Sequence, residues 1–531
     1  MVVVGGSLVG LSAALFLAFR GVTTVLVETH TGSHLHPRAI GYTPRTLELF
    51  RTVGLASLIP ESPPGFRLRR CKIESLAGPW FDESDWTPEK HGAPRREVPA
   101  SEYSPCAGAA IAQDRLEPIL RDKARALGAD LRLGTELVRF EQDAEGVTAW
   151  LRERGGREYM LRAATMIAAD GSRSPVREAL GIGRKGPGPI QTLRSVLFRA
   201  PLEAYLEKGI SQFEIEQPDL KAFLTTYVDG RWVLMFHDDV ERDEKTLLAT
   251  VRKAIGRADV PIELITTGRW ELSALIADRF ASGRVFLAGD AAHTLPPTRG
   301  GYGANTGIHD AHNLAWKLSA VLSGVSTPEL LETYDAERRP IAWTRLEQTF
   351  VRPDYAKYAP DVAAGVAILD EAAVEFGQLH RSAAVIGAGG DLPPAARPDE
   401  WKGQPGTRAP HLWIEKAGER ISTLDLFERG WVLLADDASW AAACAKASEM
   451  LGVAVTSVRL GVDIRPADAE AVGKALGIRR GGASLIRPDG IIAWRSVDAT
   501  KDPAGPLTEA LGKASSATRY CPSEERSARA P

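Results

Sequence analysis

The chain has 531 residues and a formal net charge of −3, with 44% hydrophobic and 25% charged residues. That balance belongs to a globular protein large enough for about two to four domains. It offers no electrostatic attraction for nucleic acid or an anionic membrane. The N-terminal apolar run breaks at Arg20, too short to span a bilayer and without the basic start of a signal peptide.

Residues 1–4 form an apolar, β-branched run that meets the turn Gly5-Gly6-Ser7-Leu8-Val9-Gly10 and then a helix rich in Ala and Leu. Strand, glycine turn and helix in this order form a dinucleotide-binding unit. Gly5 suits the tight turn, and Gly10 lets helix and strand pack closely. The helix start at Ser7, Leu8 and Val9 presents free N–H groups to a pyrophosphate. Ser7 stands where the fingerprint has its middle glycine; it is small and keeps its N–H. The next strand ends at Glu28, 18 residues past Gly10, where an acid reaches a ribose hydroxyl. The chain starts inside its first strand, so a few lead-in residues are expected before Met1.

His30, His34 and His36 follow in a polar loop. No carboxylate or cysteine has a ligand spacing to them, so a solvated loop is expected, with no metal. Arg38 and Arg45 flank the start of a helix with Leu47, Phe50 and Val53 at helical spacing. Either arginine suits a phosphate or an ordinary ion pair. Residues 60–110 read as irregular. A helix is expected from Gln113 to about Leu127, a strand pair over Asp130 to Phe140 turning at Gly134, and a strand over Val147 to Leu151.

An apolar strand ends in Asp170-Gly171, a carboxylate at the strand end where open α/β sheets bind ligands. Between 184 and 276 the pattern becomes antiparallel: apolar runs flank Asp229-Gly230, a hairpin signal. The first pattern then returns. A strand ends in Gly289-Asp290, a Pro/Gly loop follows with Pro297, Gly300, Gly301 and Gly303, and a long helix runs from about Ala304 to Leu322. Val385 to Gly390 imitates a second glycine fingerprint, but prolines follow it instead of a helix. The last 120 or so residues alternate strand and helix in the order βαβαββα, with a hairpin turn at Pro488-Asp489-Gly490.

That order is thioredoxin-like. Cys71, Cys106, Cys444 and Cys521 form no CxxC pair and no zinc spacing, so redox exchange is excluded and a reducing cytoplasm is expected. The expected domains are 1–183, an inserted middle sheet at 184–276, a return at 277–360, a helix and linker at 361–404, and the thioredoxin-like unit at 405–531.

Gly5-x-Ser7-x-x-Gly10, Asp170-Gly171 and the block GDAAHTLPPTRGGYGANTGIHDAHNLAWKL that starts at Gly289 together resemble the class A flavoprotein aromatic monooxygenases, in their polyketide and phenol hydroxylase branch. The resemblance covers essentially the whole chain. It implies an α/β fold: a Rossmann-like FAD domain like that of para-hydroxybenzoate hydroxylase, an inserted antiparallel substrate sheet, and a thioredoxin-like domain without CxxC. It implies FAD, with Glu28 on the adenosine ribose, Leu137 contacting adenine by its backbone, and Arg38 and Arg45 near the cofactor. Gln113 and Asp290 would meet the ribityl chain, Pro297 the flavin ring, and the amides of Ala304 and Asn305 the pyrimidine edge, where reduced flavin is anionic. Asp170 would serve both flavin and nicotinamide.

The implied reaction uses NADPH or NADH and O2: hydride passes to FAD, a flavin C4a-hydroperoxide forms, and one oxygen goes to a phenolic or polyketide-like ring. By residue type, Phe213, Phe223, Tyr227, Trp232 and Met235 are candidates to line the substrate pocket, and His237 or Tyr227 to assist phenol deprotonation. The chain is expected to act as a monomer or homodimer. Baeyer–Villiger oxidation or epoxidation on the same cofactor is one alternative, and a non-catalytic flavoprotein that shelters an intermediate is another. A flavin halogenase is disfavoured because Trp80 and Trp86 lack the Trp-x-Trp spacing.

Overall fold

The computed structural model describes residues 1–63, 69–84, 100–297, 301–427, 429–466 and 468–520. Val2–Val4 is the strand around which the N-terminal sheet is built. It lies between Met166–Ala168 and Val25–Glu28, parallel to both. Val285–Leu287 and Asp130–Leu133 extend this sheet on its two sides, and Ala281–Ser282 adds a short antiparallel edge. Such strands are buried on both faces and therefore read as continuous apolar runs. The helix Leu8–Phe19 is apolar all round because it is covered all round.

A second, eight-stranded sheet carries the middle of the chain. Its backbone is a long antiparallel pair, Arg184–Arg199 with Glu263–Ala277, followed by Arg231–Phe236, Leu220–Thr226 and Gln212–Gln217. Side chains alternate across it. Phe213, Ile215, Leu224, Trp232 and Leu234 face a core closed by the helix Glu244–Ile255 through Leu247, Val251 and Ile255. Asp243 caps that helix by accepting the Thr246 amide, and Gly256 ends it at φ +78°.

The structure departs from expectation in three places. Arg70–Ile73 and Trp80–Ser84, in the stretch read as irregular, are the far edge of the middle sheet. Arg-Cys-Lys-Ile alternates, but over too few residues to register. Asp130–Leu133 and Thr135–Gln142 are not a hairpin: the first pairs with Val25–Glu28, and the second belongs to a separate three-stranded sheet. Finally, a 22-residue helix, Glu329–Phe350, has no counterpart in the sequence reading. Its buried positions include Glu337, Arg338 and Arg345, so no apolar stripe marks it.

The C-terminal quarter has a four-stranded sheet, Val455–Arg459, Trp431–Ala435, Ala483–Ile486 and Ile492–Ser496, with the helices Ser439–Leu451 and Ala504–Ser515 packed together in one core. Its Arg487–Gly490 turn plugs into the rest of the chain. Arg487 donates from both Nη atoms to the Glu337 carboxylate at 2.6 and 3.0 Å, and Lys317 donates to Glu337 at 2.9 Å. All three side chains are fully buried. Arg20 reaches the Pro488 carbonyl at 2.9 Å.

Candidate active site

The glycine turn is as tight as the fingerprint requires. Gly5 sits at φ +101°, and a Cβ there would lie 2.2 Å from the Ala169 carbonyl oxygen. A Cβ on Gly10 would lie 1.9 Å from the Gly5 carbonyl oxygen. Neither position tolerates a side chain without moving backbone. Ser7 precedes the helix but does not cap it. Its hydroxyl donates to Glu117 Oε1 at 2.9 Å and accepts from Gln113 Nε2 at 2.9 Å. Leu8 is buried, and Val9 packs on the Gly-Asp turn: a Cβ on Gly289 would lie 2.8 Å from Val9 Cγ2. Glu28 accepts the Gly6 amide at 2.6 Å and the His30 amide at 2.7 Å.

Gln113 joins two segments. Its Oε1 accepts the amides of Arg38 and Ala39 at 3.3 and 3.2 Å. Arg38 is exposed, with its guanidinium 5.7 Å from the Trp270 ring centroid. Arg45 does something else. It donates to Glu48 at 2.7 Å and to the Asp489 carbonyl, at the junction with the C-terminal quarter. Of the two roles expected for Arg45, the ion pair is the one its contacts within the chain make. Leu137 is half-buried at a bulge of its strand, across from Leu151.

Helix Tyr302–Leu322 starts from Gly301 at φ +57°, where a Cβ would lie 3.1 Å from the Gly41 carbonyl oxygen. Helix geometry leaves the amides of Tyr302, Gly303 and Ala304 without intrahelical acceptors, and the ladder begins at Asn305. The Asn305 side chain is a buried tie. It accepts from Thr46 Oγ1 at 2.6 Å and the Thr43 amide at 3.1 Å, and donates to the Gly301 and Gly41 carbonyls. Gly300 lies outside the described residues, as do Trp86 and Cys521. The Pro297 carbonyl accepts from the Tyr355 hydroxyl at 2.7 Å.

Asp290 is exposed to water, with protein atoms crowded around it. That crowding pushes its carboxyl up, against the pull of His293 and Arg38. Asp170 accepts the Val176 amide at 3.1 Å, while its Oδ1 is buried with no partner. Burial raises this carboxyl too.

The middle-sheet candidates divide by face. Phe213 and Trp232 are fully buried in the core beneath the helix Glu244–Ile255, stacked on each other at 6.4 Å. They are packing residues, which corrects their reading as pocket lining. Phe223 and Met235 pair across neighbouring strands on the opposite face and are half-buried. Tyr227 donates its hydroxyl to the Pro37 carbonyl at 2.5 Å, so it is not a free base. His237 is exposed at the end of its strand. Loss of water to the protein atoms around it, only in part offset by Glu214, lowers its pKa and favours the neutral imidazole.

Residues 1–349 match the FAD binding domain family, and residues 402–516 match the C-terminal family of aromatic-ring hydroxylases. The chain belongs to the FAD-dependent aromatic-ring hydroxylases. It is 39% identical to a tetracenomycin A2 monooxygenase-dioxygenase of Streptomyces glaucescens, over 96% of each chain. It is 37% identical to a 4-methyl-5-nitrocatechol 5-monooxygenase of a Burkholderia species, again over 96% of each. A crystal structure of aklavinone-11 hydroxylase with FAD and aklavinone superposes with a TM-score of 0.86 at 36% identity, covering 97% of this chain and 98% of that one.

In this hydroxylase the residue that sequence reasoning missed is Asp310. Fully buried on the long helix, it accepts the Gly289 amide at 3.2 Å, contacts His293 Nε2 at 2.6 Å, and accepts from Arg338 at 2.7 Å. Burial alone would raise its carboxyl, but His293 and Arg338 outweigh that and hold it low. It lay inside the quoted Gly-Asp block, yet nothing in its spacing singled it out. Glu117 was likewise hidden, one turn past Gln113.

A groove of about 840 Å³ opens beside Arg38, between the 29–36 loop, the turn after Arg152, and strand residues 266–270. Arg38 and Arg154 line it and form no ion pair among the described residues. Trp270 lines it as well. Among the described residues no group of three His, Cys, Asp or Glu side chains is placed to hold a metal, and no helix is long and apolar enough to cross a membrane.

Proposed function

We propose that the chain hydroxylates a phenolic or polyketide-like ring, using FAD, NAD(P)H and O2. One observation carries this reading. The fingerprint helix, the Gly-Asp turn and the long helix meet at van der Waals distance: a Cβ on Gly307 would lie 2.5 Å from Val9 Cγ2 and 2.8 Å from Gly289 Cα. That packing supports one shared cleft for the Ser7–Val9 amides, Asp290 and the amides before Asn305.

The cleft's groups suit FAD. The orphaned Asp170 Oδ1 and the accessible Asp290 are acceptors in search of hydroxyl or amide donors. The amides of Ser7, Leu8 and Val9, with Arg38, suit the pyrophosphate. Glu28 suits the adenosine ribose, with Leu137 beside the adenine. Gln113 and Asp290 fall to the ribityl chain, Pro297 to the ring, and the free amides of Gly303 and Ala304 to the pyrimidine edge, with Asn305 holding that helix start in place. Bound FAD supplies the transfer of electrons from NAD(P)H to dioxygen and of one oxygen atom to the substrate.

The protein's share is to hold the ring, take a phenol proton and keep water out. The Phe223 and Met235 face suits an aromatic, and His237, favoured as neutral imidazole, is the group able to accept a proton. The arginine-lined groove suits the anionic dinucleotide donor, with Trp270 as a stacking surface.

The test is anaerobic mixing of the purified flavoprotein with NADPH, with and without aromatics. Bleaching of the flavin band, faster with a suitable phenol, and a product 16 mass units heavier with an intact ring are expected by analogy with the class of reaction. A flavin that no nicotinamide reduces would sink the reading. A lactone product would favour Baeyer–Villiger chemistry.

A further inference from the structure

A small cavity of about 40 Å³ lies where the long helix meets the C-terminal quarter, and it shares no lining residue with the groove beside Arg38. One water needs about 10–15 Å³, so this space takes a few waters or one small ion. His309, His312 and Asn313 enter it from the helix Tyr302–Leu322, at the spacing that puts them on one face. Arg45 comes from the helix Pro44–Thr52, Arg338 from Glu329–Phe350, and Arg408 from the other side of the junction.

Positive charge is in surplus around this space. Arg45 donates to Glu48 Oε2 at 2.7 Å and Arg408 to the same oxygen at 3.0 Å, so two guanidiniums share one buried carboxylate. Glu375, also in the wall, reaches Arg345 at 3.6 Å. Arg345 is fully buried, and its Nε and Nη2 have no hydrogen-bond partner among the described residues. Burial pushes the Glu375 carboxyl up, which weakens it as a counter-charge. The other charges of the wall cancel: Arg338 is met by Asp310 at 2.7 Å, and Asp489 by Arg487 at 2.6 Å.

His312 is the polar group left over. It is buried, touches Phe16 edge-on, and makes no hydrogen bond among the described residues. Burial, then Arg20 and Arg45, push it down to about 3, with Asp489 opposing. The imidazole is therefore neutral and keeps one ring N–H to donate. His309 by contrast is engaged with Thr46 Oγ1 at 3.1 Å. A buried donor without an acceptor, beside guanidiniums without enough carboxylate, calls for an anion.

We propose that this cavity binds one small monovalent anion of the halide class, held between Arg45 and His312 on one side of the junction and Arg408 on the other. The volume suits a compact ion rather than an organic one. The ion supplies the counter-charge that Glu48 and Glu375 leave incomplete, and so fastens the C-terminal quarter to the long helix. The site is independent of the flavin chemistry proposed above.

The experiment exchanges purified holoenzyme into sodium gluconate, whose anion is too large for the cavity. The melting temperature is then followed as chloride or bromide replaces gluconate at constant ionic strength. A saturable rise of about 2 °C or more is expected with either halide. Crystals soaked in sodium bromide should show an anomalous peak in the cavity, in contact with His312 and a guanidinium. His312→Phe keeps the ring shape without the N–H, and Arg45→Met removes one of the surplus charges. Each should lose the halide-dependent rise, whatever its melting temperature in gluconate, because the difference within each variant is the readout. Arg45→Lys, which keeps the charge, should retain part of the rise.

A wild type that melts alike in gluconate and halide overturns the site, as does a rise that never saturates. An equal rise in His312→Phe and Arg45→Met puts the halide elsewhere and overturns it too. A bromide peak without any melting response would mean an adventitious ion only. Should neither variant fold, the wild-type titration and the bromide peak decide.

Discussion

The Asp310 carboxylate accepts the Gly289 amide at 3.2 Å, from a helix that begins beyond the Pro/Gly loop. The turn that carries Asp290 is thereby tied to the helix Tyr302–Leu322, and Arg338 holds the carboxylate at 2.7 Å. We expect Asp310→Asn to weaken FAD binding by about tenfold or more, the loss of a charge-assisted hydrogen bond. It should also destabilise the fold by about 3 kcal/mol, because Arg338 stays buried without its counter-charge. Flavin fluorescence titration and denaturant melts read the two effects separately. Unchanged affinity would show that the tie does not shape the cleft.

Arg487→Met should be among the most damaging single changes. It leaves Glu337 facing only Lys317 and neutral donors in a fully buried site. Breaking one side of such a pair costs about 3–5 kcal/mol. A melt that keeps its midpoint would mean the turn does not bear on stability.

Stability should fall as pH drops below neutral. Burial, with nearby arginines adding to it, pushes His36 and His380 down to about 4 and His312 down to about 3. Below pH 6.5 the unfolded chain takes up these protons while the folded chain does not, so stability declines from about pH 6.5 towards 4. The contribution is fully present above 6.5. A melting temperature flat across that window would contradict the assignment.

Two phenylalanines on one sheet should behave differently. Phe213→Ala opens the core under the covering helix and should cost about 3–5 kcal/mol, with substrate KM unchanged in the protein that remains folded. Phe223→Ala should cost less and raise the KM of the aromatic. Reversed outcomes would place the substrate on the wrong face.

Arg154→Ser tests the groove. If the dinucleotide donor lies there, its KM should rise by about tenfold, the loss of one charge-assisted contact, with kcat unchanged at saturation. No change would move the donor elsewhere.

How far the sequence reached depended on what each signal reports. The apolar strand, its glycines and Asp170 and Asp290 at strand ends were legible because backbone geometry and burial demand those residue types locally. Phe213 and Phe223 were not separable, because alternation places them on opposite faces without saying which face meets solvent. The helix Glu329–Phe350 escaped for a related reason. It buries Glu337, Arg338 and Arg345, and only their distant partners Asp310, Glu375 and Arg487 make that burial tolerable. Arg45 suited a phosphate as well as an ion pair, and the choice was made by Glu48, three residues on, and by a turn more than 400 residues away.

The Arg487–Gly490 turn also bears on how such proteins can be recombined. A chimera that grafts another C-terminal quarter onto the rest of this chain inherits Glu337 and Lys317 without a guarantee of an arginine to meet them. Transplants should therefore move the turn and its receptor as one cassette: residues 487–490 together with Asn313, Lys317 and Glu337. A tail exchanged at the linker alone would carry a lock without its key.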